Sequence, residues 1–273
     1  MKLKPRLDEI LVERGYFSTL HDAQVAVLAG EVIVGEHRET SAGKRLRPDV
    51  EIRLKNQSRF VSRGGEKLAG ALSAFQLDVA GKRAADLGCS TGGFTHCLLQ
   101  AGAASVCAVD VGYGQFSWAL RQDPRVALFE RTNVRGIDVE AVGGPFELVV
   151  GDLSFVSLAS LMPDISRLMA PGGQLAILVK PQFELDSSQE GEGGIVRSRD
   201  AHARALQSAC DAACAQGLQP LAVACSPIKG PKGNIEFLLH AAKPAEGCSP
   251  QPSLVDAAAV EAVVEGAHAA LAR

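Results

Sequence analysis

Apolar and polar positions follow two rhythms along this chain. In the first stretch they are short and punctuated. Leu7, Ile10 and Leu11 recur at helical spacing, and the pattern stops at Gly15. Ser18 is placed to cap a second helix that carries Ala23, Val25, Ala26 and Leu28 and closes at Gly30. Val32-Ile33-Val34 and Val50-Glu51-Ile52-Arg53-Leu54 then read as short strands, with Gly35 and Gly43 in turns. Two helices and a small antiparallel sheet predict an α+β module over residues 1–57. Residues 58–66 read as a connector.

From residue 67 the rhythm changes to strand, helix, strand, helix. Apolar strand segments lie near 84–88, 106–111, 126–130, 147–151, 174–179, 220–225 and 235–240. Strands that alternate with helical stretches predict an α/β fold, with a Rossmann-like seven-stranded sheet covered on both faces. Residues 226–234 are too few for a helical crossover, so the last strand is expected to run antiparallel. This second domain is expected to span 67–243. Pro244, Gly247, Pro250 and Pro252 mark a linker, and the Ala/Val/Glu-rich end of 244–273 reads as a short helix or a frayed tail.

Composition narrows the class. The chain has 273 residues, 47% apolar and 22% charged, the balance of a folded protein. No stretch reaches the ~18 consecutive apolar residues of a spanning helix, so no membrane partner is expected. The basic start lacks an apolar h-region, which points to a cytoplasmic protein. Seven cysteines form no CxxC pair. Cys210 and Cys214 are four apart on a predicted helix, which would put both thiols on one face, yet no second ligand pair accompanies them. Reduced structural cysteines and no metal are expected.

Net charge is −3, unevenly spread. Residues 1–67 carry 13 basic and 10 acidic side chains, leaving 15 basic and 21 acidic for the remainder. A basic front on an acidic body suggests where a polyanion would dock. Arg6, Arg14, Lys44, Arg45 and Arg47, with Arg63 in the connector, are the candidate phosphate contacts. Aromatics are scarce there, so backbone and shape recognition is expected over base stacking.

The strand Ala84-Ala85-Asp86-Leu87-Gly88 runs into Cys89-Ser90-Thr91-Gly92-Gly93-Phe94 and an apolar helix. Ligands of open α/β sheets sit at the carboxyl ends of strands, where this loop lies. The spacing fits neither GxGxxG nor a P-loop, so a ligand without phosphates is expected. Asp110 ends the next strand and can accept both hydroxyls of a ribose. An adenosyl ligand with a cationic tail matches: Asp86, Gly88, Ser90, Thr91, Gly92, Gly93 and Phe94 around the tail, Asp110 at the ribose, Asn133 by the base.

Four charges stand at the ends or starts of elements: Lys67, Asp152, Lys180 and Glu236. Methylation of a ribose 2′-hydroxyl needs such a set, because the hydroxyl is a weak nucleophile that must lose its proton. A lysine amine can take that proton if its ordinary value of about 10.4 is brought down by burial and a second cation. Lys180 is assigned as base, Lys67 as that cation, and Asp152 and Glu236 as the groups that orient them.

These residues resemble the TlyA family, which joins an S4 RNA-binding domain to an FtsJ-like methyltransferase. The resemblance covers roughly residues 5–242. It is carried by Arg6-Leu7-Asp8, by Phe60-Val61-Ser62-Arg63-Gly64-Gly65-Glu66-Lys67-Leu68, and by the loop 86–95. Val109-Asp110-Val111-Gly112-Tyr113-Gly114-Gln115, Asp152-Leu153-Ser154-Phe155 and Lys180-Pro181-Gln182-Phe183-Glu184 complete it. Cys89 stands where the family more often has Ala. The family's Lys-Asp-Lys-Glu tetrad falls on Lys67, Asp152, Lys180 and Glu236. The resemblance implies an S-adenosylmethionine-dependent 2′-O-methyltransferase acting on ribosomal RNA, with cytidine the usual target and ribosomal subunits as partners. It also implies that residues 1–57 are an S4-like domain. Segment 184–199, Gly- and charge-rich, is expected to be a mobile loop that folds over substrate. Three alternatives are weighed. The missing GxGxxG argues against an NAD-dependent oxidoreductase. A filled tetrad argues against a non-catalytic ribosome-binding or assembly factor. The absence of an amphipathic cationic segment argues against a haemolysin.

Overall fold

Local chemistry sets the N-terminal elements. A computed structural model of the chain describes residues 4–17, 19–55, 59–185 and 194–271. They divide into two compact units, 1–58 and 59–273. In the first, helices α1 (Leu7–Glu13) and α2 (Leu20–Leu28) precede strands β1 (Val32–Val34), β2 (His37–Glu39) and β3 (Ile52–Leu54). The strands form an antiparallel sheet in the order β2-β1-β3. Leu7, Ile10, Leu11, Ala23, Ala26, Val27, Val32 and Ile52 make its core.

Three details differ from the expectations. The cap of α2 is Thr19, whose hydroxyl accepts from Asp22 N at 3.1 Å; Ser18 lies outside the described residues. The buried face of α2 is Ala23, Ala26 and Val27, while Val25 and Leu28 are exposed. Strand β2, His-Arg-Glu, has no apolar signal and exists because its backbone pairs with β1.

The second unit carries α3 (Gly64–Ala74), β4 (Arg83–Leu87), α4 (Gly93–Gln100), β5 (Ser105–Val109), α5 (Trp118–Arg121) and β6 (Val126–Phe129). It continues with β7 (Phe146–Gly151), α6 (Leu158–Leu168), β8 (Met169–Val179), α7 (Pro181–Glu184), α8 (Arg199–Ala215), β9 (Gln219–Cys225), β10 (Phe237–Ala242) and α9 (Ala257–Leu271). The seven-stranded sheet runs β6-β5-β4-β7-β8-β10-β9. Its central strands are parallel, and β10 is antiparallel to both β8 and β9. These strands read as unbroken apolar runs because both faces are covered. Ala84, Val106, Leu148, Val150 and Leu178 pack toward α3 and α4. Ala85, Leu87, Val149, Leu175 and Ile177 pack with α6, α8 and α9.

The C-terminal helix is part of this core. Val260, Val264 and Ala267 of α9 are buried, and α9 packs on α8 and β9. All seven cysteines are free. Cys210 and Cys214 lie one turn apart on α8, the first buried and the second exposed. Residues 186–193 of the expected mobile loop lie outside the described residues. After them, Asn234 holds the chain: its Oδ1 accepts from Val196 N at 2.9 Å and its Nδ2 donates to Gly194 O at 3.0 Å.

His202 joins α8 to α9. Its Nε2 donates to Val196 O at 3.2 Å, which leaves Nδ1 to accept from His268 Nε2 at 2.8 Å. Burial, and next the neighbouring His268, pull His202 down to about 4. The unfolded chain takes up a proton here near the ordinary histidine value of about 6.5. Stability present above that value is therefore lost as pH falls toward 4. Thermal melts across this window should show a falling midpoint for the wild type and a flatter profile for His202→Gln. Parallel profiles would remove His202 from the cause.

Candidate active site

The site lies where the strand order reverses. Strands β4 and β7 are neighbours, and chain connections leave them in opposite directions along the sheet. Loops after the carboxyl ends of β4, β5, β7 and β8 therefore open onto one crevice. Adjoining cavities of about 550 Å³ each occupy it. Gly88, Ser90, Asp152, Ser154 and Phe155 line both.

The first cavity is walled by Asp110, Val111, Asn133 and Leu161 as well. Asp110 Oδ2 accepts from Ser90 N and its Oδ1 from Gly112 N, each at 2.7 Å. The carboxylate is thereby fixed at the cavity wall. Asn133 is exposed there and its Oδ1 accepts from Arg135 N at 2.9 Å. Gly88 has φ +78°, and a Cβ on it would sit 2.9 Å from Asp152 O. Only glycine lets β4 end this close to the loop after β7.

The other loop residues do different work. Gly92, at φ +95°, faces Leu120 and Phe116, and Gly93 faces the start of α3. Both serve packing. Thr91 and Phe94 border a further hollow, shared with Arg63 and Lys67. Asp86 has no exposed surface and accepts from Thr95 Oγ1 at 2.6 Å. Burial pushes its carboxyl up to about 7, against the Thr95 hydrogen bond.

The second cavity holds all four predicted charges. Lys67 points in from the first turn of α3, Asp152 follows β7, and Lys180 follows β8. Glu236 arrives differently. Because β10 is antiparallel, with Phe237 opposite Val179, its beginning lies at the rim where β8 ends. Asp152 bridges the lysines, with Oδ1 2.5 Å from Lys180 Nζ and Oδ2 3.6 Å from Lys67 Nζ. Glu236 Oε2 lies 2.6 Å from Lys67 Nζ. Lys67, Lys180 and Glu236 are buried, and Asp152 keeps about a fifth of its side chain open, 22%. Two buried lysines and two carboxylates so arranged can hold a hydroxyl, and a lysine in its neutral form can accept its proton.

Three further features were not singled out from sequence. Lys180 Nζ donates to Ser154 Oγ at 2.7 Å. Phe155 is 89% exposed at φ +63°, with its ring 5.1 Å from Phe183. Glu184 accepts from Leu158 N at 3.0 Å and from Ser157 Oγ at 2.9 Å, tying α7 to the start of α6. The signal available was their place inside two motif strings.

The candidate phosphate contacts of the first unit are largely engaged within it. Arg6 forks onto Asp8 at 2.9 and 2.6 Å, and Gln24 donates to the same carboxylate. Arg14 donates to Val50 O at 2.6 Å and to Pro48 O. Lys44 pairs with Glu39, and Arg45 donates to Lys4 O at 2.7 Å. Arg47 is exposed, 3.8 Å from Asp49. In the second unit Arg63 is exposed at the start of α3. Among the described residues no group of three or more His, Cys, Asp or Glu could hold a metal ion, and no helix is long and apolar enough to cross a membrane.

A family model for FtsJ-like methyltransferases matches residues 60–243. The chain is 42% identical over 88% of its length, and 90% of the relative's, to a Mycobacterium tuberculosis protein named 16S/23S rRNA (cytidine-2′-O)-methyltransferase TlyA. It is 37% identical to Hemolysin A of Brachyspira hyodysenteriae, over 86% of this chain and 98% of that one. The solved structure of a Streptococcus thermophilus protein, provisionally called a hemolysin, matches with a TM-score of 0.75 and 38% identity, covering 99% of this chain and 98% of that one.

Proposed function

The chain belongs to the FtsJ-like methyltransferase family, and from that premise we propose that it methylates the ribose 2′-hydroxyl of a cytidine in ribosomal RNA. S-adenosylmethionine is the proposed donor. The observation that carries the reading is the second cavity, where Lys67, Asp152, Lys180 and Glu236 meet within ion-pair distance.

The residues of the first cavity fit the donor. Asp110 is held rigidly and keeps lone pairs for ribose hydroxyls, Asn133 flanks the place for the base, and Gly88 and Ser90 bound the end toward the tetrad. When bound, the donor supplies an electrophilic sulfonium methyl. Lys180, as the neutral amine, takes the proton of the attacking hydroxyl: the O–H bond breaks and an N–H bond forms, while the oxygen's electron pair replaces the methyl's bond to sulfur, whose pair would stay on sulfur. Asp152 holds both lysine heads at the cavity. Glu236 balances Lys67, which leaves Asp152 free to serve Lys180. Asp86, buried beneath the loop, supports its shape through Thr95.

Residues 1–57 are proposed to be the S4-like RNA-gripping domain, with Arg47 the candidate least occupied by internal partners. Arg63 would meet RNA beside the tetrad. The same site gives no reason to favour lysis, since four converging charges have no use there.

The test uses purified protein, methyl-labelled S-adenosylmethionine and ribosomal subunits, with the RNA digested to nucleosides. Label should appear in 2′-O-methylcytidine. Label on a base, or none in RNA, would overturn the proposal.

A further inference from the structure

Among the described residues, the aligned hydrogen bond of Lys180 Nζ goes to Ser154 Oγ, 2.7 Å away. Asp152 Oδ1 is closer, at 2.5 Å, and meets the amine as an ion pair that is not aligned for a hydrogen bond. The distinction matters for a proton acceptor. Charge attraction draws an amine near a carboxylate without fixing its rotation, whereas a hydrogen bond is directional. With Cε on one vertex of the tetrahedral nitrogen and Ser154 on a second, two directions are left. They are available to the cavity that Lys180 lines with Lys67 and Glu236, where Asp152 stands alongside as an ion pair.

The backbone around Ser154 is built to keep it there. The next residue, Phe155, sits at φ +63°, a region that bulky side chains rarely occupy. Strain of this kind persists only where the surroundings hold it. Here the Phe155 ring rests 5.1 Å from Phe183, and the loop is tied again where Glu184 accepts from Ser157 Oγ and Leu158 N. The segments after β7 and β8 are thus braced at three successive points, and the Lys180–Ser154 bond is the one at the tetrad.

We propose that Ser154 is a positioning residue for methyl transfer: its hydroxyl locks the Lys180 amine so that the nitrogen's free direction faces the substrate cavity. This rests on the reading of Lys180 as proton acceptor. Ser154 borders both cavities, but its role is to aim Lys180, not to hold either ligand. Its removal should therefore slow the chemical step and leave both affinities alone.

The experiment compares Ser154→Ala, Ser154→Thr and Lys180→Ala with wild type, measuring kcat and KM for S-adenosylmethionine and for ribosomal subunits. Ser154→Ala should lower kcat about ten-fold, the usual worth of a hydrogen bond to a charged group. Both KM values should stay within about two-fold of wild type by the same reasoning, because no ground-state contact is lost. Ser154→Thr, which keeps the hydroxyl, should recover most of the rate. Wild-type kcat in Ser154→Ala, a change in KM alone, or no recovery with Thr would each overturn the positioning role. If Lys180→Ala itself stays active, the proton-acceptor reading fails, whatever Ser154 does. Melting curves of the Ser154 variants should stay close to wild type, because Asp152 still pairs Lys180, so that a lower rate reports its aim and not unfolding.

Discussion

Lys180→Ala should reduce methyl transfer by about 10²- to 10⁴-fold, the range removed when a positioned acid–base group is lost. The hydroxyl would still reach the cavity but would have no group to receive its proton. The remaining Lys67 cannot substitute, because Glu236 Oε2 holds it at 2.6 Å while Asp152 stands 3.6 Å away on its other side. Lys180→Arg separates charge from proton transfer. An arginine keeps the positive head beside Asp152, yet it does not give up a proton in proteins. It should therefore be nearly as inactive as the alanine variant while binding RNA like the wild type. Initial rates with labelled donor, read beside RNA-binding curves, check both statements. An arginine variant within a few-fold of wild type would show that only the charge at position 180 matters.

Glu236→Ala should be the most destabilising change in the site. Glu236 is 1% exposed and is the near partner of Lys67, itself 6% exposed. Removing one member of a buried pair strands the other charge, at a cost of about 3–5 kcal/mol. For a unit of this size that corresponds to a melting point lower by roughly 10 °C or more. The double variant Lys67→Met, Glu236→Leu removes both charges together, and well-packed apolar replacements of a buried pair are often neutral. Its melting point should return toward wild type, but its activity should not. Calorimetry on Lys67→Met, on Glu236→Leu and on the double variant gives the coupling between the residues. Additive effects would mean that the two side chains do not act as a pair, and an active double variant would mean that methyl transfer does not need them.

Parts of this molecule were legible residue by residue. The parallel core of the sheet announces itself because strands covered on both faces must be apolar throughout. The short spacer between β9 and β10 permits only an antiparallel turn, and β10 is antiparallel to both neighbours. Where the signal lay in partners distant along the chain, sequence reading fell short. Strand β2 is polar, and only its pairing with β1 makes it a strand. The exposed Val25 and Leu28 look like core residues by type, but the buried face of α2 is one position away. The Ala/Val/Glu-rich end reads as a short helix or a frayed tail, and the cover that α8 and β9 provide decides for the helix α9.

The site divides in the same way. Sequence alone determined which residue types stand at the ends of strands: a glycine loop after β4, an acid after β5, Asp152 after β7 and Lys180 after β8. Chain order and strand period are enough for that, because the carboxyl ends of parallel strands share one rim. Only the tertiary structure decided which of these side chains meet. It brought Glu236 in from the start of an antiparallel strand. It set Gly92 close to Leu120 and Phe116 and Gly93 close to the start of α3, and it buried Asp86 beneath the loop. It spent Arg6 and Arg14 on partners within their own unit. It set Ser154 against Lys180 through a strained turn that no residue type announces. The physical reason is that period and propensity act between near neighbours, whereas a hydrogen bond 26 residues apart along the chain exists only once two strands lie side by side.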